Sequence, residues 1–352
     1  MARLSVVPKE TFDSLARIRE TALVTFDSLF TPDGRIWTAR GLEQFREAFI
    51  DRFDEGEGKF LEKLRTQLDG ASDDTIQLTA ELLYVQQFFT MYTGMERKIE
   101  LIREVLSWSD RLVEMPEWSI AGLKRGLAGD QSFAIHRPYH LAWLNEFLIR
   151  WHTLAEPERE SFLGDPWAFR DLVLSTESQA GAYQPMRQAW LYMIFPDHYE
   201  AISSWRDKQR IVDGFQRLLG RPPSPNVDAD LFEIRKKLTQ EMGEEVYFYR
   251  PPIIEQWRTS SKKPKRIVKT KSVDGNKEDL VVSPPNEGNE SRLLTERLLA
   301  TGSELLLEPA SIMGEWCELL LDSKQVIFQG PPGTGKTFLA RKLADLLTGN
   351  VD

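Results

Sequence analysis

From Pro8 to Trp257 the apolar residues return every three or four positions, and that spacing predicts helices. In TARGLEQFREAFIDRF, Leu42, Phe45, Phe49 and Phe53 share one face. Thr38 stands where an N-cap belongs, since its hydroxyl can accept from an amide that no helical carbonyl reaches. HLAWLNEFLIRW arranges Leu141, Leu144, Leu148 and Trp151 in the same way. DKQRIVDGFQRLLG groups Ile211, Phe215 and Leu218 and stops at Gly220, a residue suited to a left-handed C-cap. DADLFEIRKKLTQEMG repeats the scheme with Leu231, Ile234 and Leu238 ahead of Gly243. Between these patterns lie TPDG, LDGASDD, LGDP and GRPPSPN, whose Gly, Pro, Asp and Asn mark turns. Period-two alternation is scarce, and VYFYRPPI near Val246 is the best candidate for an extended segment. The fold class read from this pattern is mainly α, with residues 1–257 forming a large all-helical N-terminal domain.

The pattern breaks at 258–290, RTSSKKPKRIVKTKSVDGNKEDLVVSPPNEGNE, where aromatics vanish and Lys, Ser, Pro, Gly, Asn and Glu dominate. That composition predicts a flexible linker. Apolar periodicity resumes at Ser291: SRLLTERLLATG and EPASIMGEWCELLLDSK predict two helices, and KQVIFQ a short strand. Residues 291–352 thus read as the start of a second, α/β domain.

Composition narrows the class without naming a chemistry. The chain has 352 residues, 41 % of them hydrophobic and 28 % charged, which suits two soluble domains. Cys317 stands alone, so no internal disulfide forms and a reducing cytoplasm is expected. No run approaches the roughly 18 apolar residues of a membrane span, and MARLSVVPKE has no secretory signal. A net charge of −9 argues against nucleic-acid binding by the whole surface. The linker is the exception. Arg258, Lys262, Lys263, Lys265, Arg266, Lys269 and Lys271 occur there with no acid among them. Such a run is either a solvated tether or a contact to DNA phosphates through Lys262, Lys263, Lys265 and Arg266.

One motif carries specific chemistry. Gly330-Pro331-Pro332-Gly333-Thr334-Gly335-Lys336-Thr337 satisfies G-x-x-x-x-G-K-[ST], with a predicted strand before it and a helix from Phe338 after it. The glycines let the backbone curl so that amide N–H groups face a triphosphate. Lys336 would reach the β- and γ-phosphates, and the Thr337 hydroxyl would ligate Mg²⁺. The helix that follows turns its N-terminal dipole towards the anion.

The stretch LLLDSKQVIFQGPPGTGKTFLARKLADLLTG resembles the opening of the AAA+ domain of McrB-type proteins, motor subunits of modification-dependent (type IV) restriction systems. GPPGTGKT is common to AAA+ proteins; Gln329 before it, and FLARKLA and LLTG after it, sharpen the likeness. RPYHLAWLNEFLIRW and IFPDHYEAISSWRDKQRIVDGF resemble a helical region placed ahead of such domains. The resemblance implies a ring-forming GTPase or ATPase that uses Mg²⁺, works with an McrC-type nuclease and acts on DNA, including modified DNA. The helical part does not resemble the methylcytosine-reading domain of the best-known member, which leaves the recognised target open.

Hydrolysis by this chain alone is not expected, and its nucleotide binding is expected to be weak at best. After Lys336 come 16 residues, and RKLADLLTGNVD encodes no Walker B acid, sensor or arginine finger. Two origins fit: a piece of a longer frame, or a natural short form that regulates a full-length relative. A different class also fits, a non-enzymatic helical module that binds protein or nucleic acid and carries an inert P-loop remnant. Other features read as structural. The nine tryptophans before residue 260, Trp37, Trp108, Trp143, Trp151, Trp167, Trp190 and Trp205 among them, mostly sit on apolar stripes. His136 and His140 are four apart, but Pro138 between them disfavours the continuous helix on which they could share a metal. SSWRDKQR has Asp207 and Lys208 adjacent, the wrong spacing for a nuclease acid-x-Lys element.

Overall fold

A computed structural model describes residues 3–32, 34–52, 59–91, 93–128, 136–177 and 184–258. All lie within one compact unit, Met1–Pro264. The elements are α1 (Lys9–Glu20), α2 (Ala39–Phe45), α3 (Phe60–Gln67), α4 (Asp73–Gln87), α5 (Met95–Leu106), α6 (Glu117–Gly122), α7 (Arg137–Thr153), α8 (Glu156–Gly164), α9 (Pro166–Leu174), α10 (Gln184–Ile194), α11 (Trp205–Gly214), α12 (Gln216–Leu219), α13 (Val227–Met242) and α14 (Ile253–Trp257). Wider π turns extend α1 over Thr21–Thr25 and α2 over Arg46–Ile50. The described residues are therefore mainly α, as the periodicity predicts. Residues 291–352, read as the start of an α/β domain, lie outside them, as does nearly all of the 258–290 linker.

Local chemistry sets several helix starts. Thr38 accepts from Gly41 N at 3.1 Å, Ser72 from Thr75 N at 3.2 Å, and Asn226 from Ala229 N at 3.1 Å. Asp165 accepts from both Trp167 N and Ala168 N, with Pro166 in the first turn, where a missing amide costs nothing. Each such cap is worth about 1 kcal/mol. At the other end, α12 and α13 stop at Gly220 and Gly243, whose φ angles of 66° and 68° suit glycine.

Three helices form the centre. Every residue of α4 from Thr75 to Gln87 is buried, as is α10 from Met186 to Ile194 and α7 from His140 to Asn145. Leu141, Leu144, Leu148 and Trp151 all lie inside, but the predicted single face of α7 understates its enclosure. A helix apolar all round has neighbours all round: α4 packs on α2, α5 and α7, and α10 on α1, α7, α9 and α11. Trp143, Phe147 and Trp151 stack along α7 at centroid distances of 5.6 and 6.2 Å, and Phe169 and Trp190 meet Phe147 edge-on. Aromatic pairs of this kind add about 0.5–1.5 kcal/mol each beyond burial.

A second, smaller core gathers Ile211, Phe215, Leu219, Leu231, Ile234, Leu238, Val246, Phe248 and Trp257 between α11, α13 and α14. Two expectations are corrected by it. DKQRIVDGFQRLLG is not one helix: it breaks at Phe215, and Leu219 is buried while Leu218 is half-exposed. VYFYRPPI forms no strand, although Val246 and Phe248 point inward and Tyr247 and Tyr249 outward. Its carbonyls are taken by side chains instead, Val246 O by Arg235 Nη1 at 2.8 Å and Phe248 O by Trp257 Nε1 at 2.7 Å. Among the described residues the one β-type contact is an isolated bridge between Thr90 and Ala128.

Burying α4 on every side puts Glu81 in the core, where its carboxylate gathers the loop before α2. It accepts from Ser28 Oγ at 2.6 Å, Leu29 N at 2.8 Å, Phe30 N at 3.2 Å, Trp37 Nε1 at 2.6 Å and Gln77 Nε2 at 3.1 Å. Burial pushes its pKa up, against the pull of those donors. Glu81→Gln would turn an amide donor against other donors and leave at least one unpaired, a cost of about 2 kcal/mol. The substituted protein should melt several degrees lower in thermal denaturation followed by circular dichroism; an unchanged melting temperature would contradict the clamp.

Candidate functional site

The residues singled out from sequence, Gly330 to Phe338 of the glycine loop and Lys262, Lys263, Lys265 and Arg266 of the basic run, lie outside the described residues. The chemistry that can be placed belongs to the helical domain, and it consists of buried charge.

One buried cluster joins four helices. Lys208 on α11, fully buried, donates to Asp228 Oδ1 at 2.7 Å and to Gln188 Oε1 of α10 at 2.5 Å. Arg170 on α9 donates from Nε to Asp228 Oδ2 at 2.9 Å. Burial alone would raise the Asp228 carboxyl; Lys208 and Arg170 outweigh it and hold the carboxyl below the ordinary range. Nearby, Arg235 of α13 pairs through two nitrogens with Glu200. These pairs lie where the larger core meets the smaller. They also settle the Asp207–Lys208 dipeptide: Asp207 accepts from Tyr249 OH at 2.9 Å near the surface, while Lys208 points inward. The two do not share a site.

Other cations are buried or half-buried without an acid as hydrogen-bond partner among the described residues. Lys98, 1 % exposed, donates from Nζ to Thr90 O at 2.8 Å, and burial pushes its pKa down to about 8. Arg137 lies over the Phe60 ring at 4.9 Å, pushed down to about 10 by burial and by Arg97. Arg150 on α7 donates from Nη1 to Leu172 O, Ser175 Oγ and Thr176 Oγ1 at 3.0–3.2 Å. Arg187 on α10 donates from Nη2 to Thr176 O at 2.5 Å. None was singled out from sequence, yet a sign was there: QPMRQAWLYMIF sets Arg187 in a run too apolar to be a surface.

Pro138 does not keep His136 and His140 apart as expected: it sits in the first turn of α7, where its missing N–H costs nothing, and His140 N donates to His136 O at 3.1 Å. No group of three or more His, Cys, Asp or Glu suited to a metal occurs among the described residues. His140 is fully buried, and Gln86 Nε2 lies 3.4 Å from its Nδ1. Trp37, Trp143, Trp151 and Trp190 are fully buried and Trp257 nearly so; Trp108, Trp118, Trp167 and Trp205 pack partly buried against the two cores. Core packing accounts for them. A shallow surface depression of about 330 Å³ lies at the end of α5, lined by Arg103, Leu106, Asp110, Arg111, Leu112 and Val113 among others. Among the described residues no helix is long and apolar enough to cross a membrane.

Comparison with known proteins gives a partial likeness. A protein described as the type IV methyl-directed restriction enzyme EcoKMcrB subunit of Escherichia coli (strain K12) is 43 % identical over 68 residues. That stretch is 19 % of this chain and 14 % of the length of that protein. No family model matches the chain, and no solved structure does.

The placed chemistry makes the domain sensitive to acid. Burial, with help from His136 and Arg137, pushes His140 down to about 3 from an ordinary 6.5. A folded pKa below the unfolded one means that the stability from neutral His140 is complete above 6.5 and is lost as pH falls towards 3. Asp228 has the same sign, its contribution being lost only as pH falls below about 4. The melting temperature should therefore fall as pH drops from 7 to 4, and His140→Gln should flatten that fall. An unchanged slope would place the acid sensitivity elsewhere.

Proposed function

We propose that this chain is the N-terminal part of an McrB-like AAA+ NTPase, a motor subunit of an anti-phage DNA restriction system in the cytoplasm. Residues 1–257 are its target-sensing domain, 258–290 a basic tether, and 291–352 the start of the nucleotide-binding domain. The observation that carries this reading is the 43 % identity over 68 residues to a restriction subunit, in a chain that also spells a complete Walker A sequence. The wider activity, GTP or ATP hydrolysis in a ring and coupling to an McrC-type nuclease, belongs to the complete protein.

In this reading the amides of Gly330, Pro331, Pro332, Gly333, Thr334, Gly335, Lys336, Thr337 and Phe338 (the prolines by shape alone, having no N–H) wrap the β- and γ-phosphates of GTP or ATP. Lys336 contributes a point charge and Thr337 a hydroxyl that holds Mg²⁺. The helical domain supplies recognition. Its enclosed core suits that role, because a scaffold that barely deforms keeps surface groups in register with a target. Lys262, Lys263, Lys265 and Arg266 would hold DNA by its phosphates without choosing its sequence.

The test is equilibrium binding of fluorescent GTP and ATP analogues to the full chain with Mg²⁺. One of the two should bind, and Lys336→Ala should weaken it at least about tenfold, or about 1.4 kcal/mol. Chelating Mg²⁺ should weaken it as well. A chain that binds neither nucleotide, yet binds DNA or protein, fits the non-enzymatic helical module instead.

A further inference from the structure

Arg150 and Arg187 reach the same short segment from different helices. Arg150 Nη1 donates to Thr176 Oγ1 at 3.0 Å and Arg187 Nη2 to Thr176 O at 2.5 Å. Arg187 is 6 % exposed, whereas Ser175 beside it is open to solvent. Part of this is helix capping, since Arg150 donates to Leu172 O in the last turn of α9, where a cation is favoured, and Arg187 to Thr176 O just beyond it. Capping leaves donors over. A guanidinium has five N–H groups; Arg187 uses one nitrogen, and its buried Nε has no hydrogen-bond partner. Neither arginine forms an ion pair among the described residues. Asp171, close in sequence, is paired with Arg170 at 3.2 Å. Two guanidiniums that meet at Thr176, one desolvated and one half-exposed, thus have no carboxylate partner among the described residues.

We propose that Arg150 and Arg187, at the end of α9, form an oxyanion site that takes a phosphate group. Planar forks with parallel N–H donors match phosphate oxygens better than an ammonium does. Desolvation of Arg187, which lowers its pKa with no acid to oppose it, strengthens the attraction for an incoming anion. None of its residues belongs to the glycine loop, and it requires no nucleotide there. Its phosphate could come from a nucleic-acid backbone or from a small phosphorylated molecule, and both present the same oxygens.

The test uses the full chain carrying Lys336→Ala, so that phosphate captured by the glycine loop does not enter the result. Thermal denaturation is compared in inorganic phosphate, citrate and chloride at matched ionic strength, with and without Arg150→Gln. Phosphate at about ten times its dissociation constant should raise the melting temperature by about 3 °C. Arg150→Gln, a change at a half-buried position, should abolish the rise. General salting-out by phosphate would persist in that variant, so an undiminished rise overturns the proposal. So does no rise at all, or a rise with citrate and none with phosphate. If Arg187→Gln folds, it should abolish the rise as well. Duplex DNA then identifies the source. Weaker binding in Arg150→Gln, with phosphate competing, identifies a nucleic-acid backbone; unchanged DNA binding beside a lost phosphate effect identifies a small phosphorylated ligand. Either result supports the site.

Discussion

Enclosure of α4 from Thr75 to Gln87, α7 from His140 to Asn145 and α10 from Met186 to Ile194 is the constraint from which the rest of the helical domain follows. An enclosed helix has no solvent face on which to keep its polar residues, so each of these must find a partner inside. α4 carries Gln77, Thr79, Glu81, Gln86 and Gln87 into the interior, α7 carries His140 and Asn145, and α10 carries Arg187 and Gln188. The structure answers in part, with side chains that reach backbone and with ion pairs between helices, while both polar atoms of the Asn145 side chain and the Nε of Arg187 have no hydrogen-bond partner. Glu81 gathers the segment from Ser28 to Trp37. Thr79 bonds back to Thr75 O at 2.7 Å within its own helix.

The join between the two cores obeys the same rule with charge. Lys208, Asp228 and Arg170 are each costly to bury alone; across α9, α11 and α13 the one carboxylate serves both cations, and Asp171, 3.2 Å from Arg170 Nη1, supplies the second negative charge. A buried pair of this kind is specific because removing one partner strands the other. It fixes how the smaller core sits on the larger one, as an oily contact of equal area would not. The arginines at the end of α9 differ in that their bonds run to neutral oxygens, as does that of Lys98.

How much of this was legible in the sequence depends on the level. Helix content and several boundaries were, because capping and left-handed glycine act locally: Thr38, Gly220 and Gly243 do what their neighbours predict. Enclosure was harder to read. The stripe Leu141, Leu144, Leu148 and Trp151 predicts one apolar face, whereas His140 and Asn145 are buried too, and only tertiary packing decides that. VYFYRPPI shows the opposite failure: its alternation is real, but Arg235 and Trp257, close in space rather than in sequence, take the carbonyls a strand partner would use. The buried Lys208–Asp228 pair spans 20 residues and two helices, so no local pattern announces it. The glycine loop is the reverse case, plain in sequence because its chemistry is compressed into eight consecutive residues.

Native-state hydrogen exchange of the full chain, followed by mass spectrometry, tests enclosure most directly. Amides in Thr75–Gln87, His140–Trp151 and Met186–Ile194 should exchange last and together, since α7 packs on both α4 and α10 and its opening exposes each of them. Amides of α8, which buries none of its residues, should exchange long before them. If the three central helices exchanged as fast as α8, or at widely different rates from one another, the common core on which this account rests would not exist.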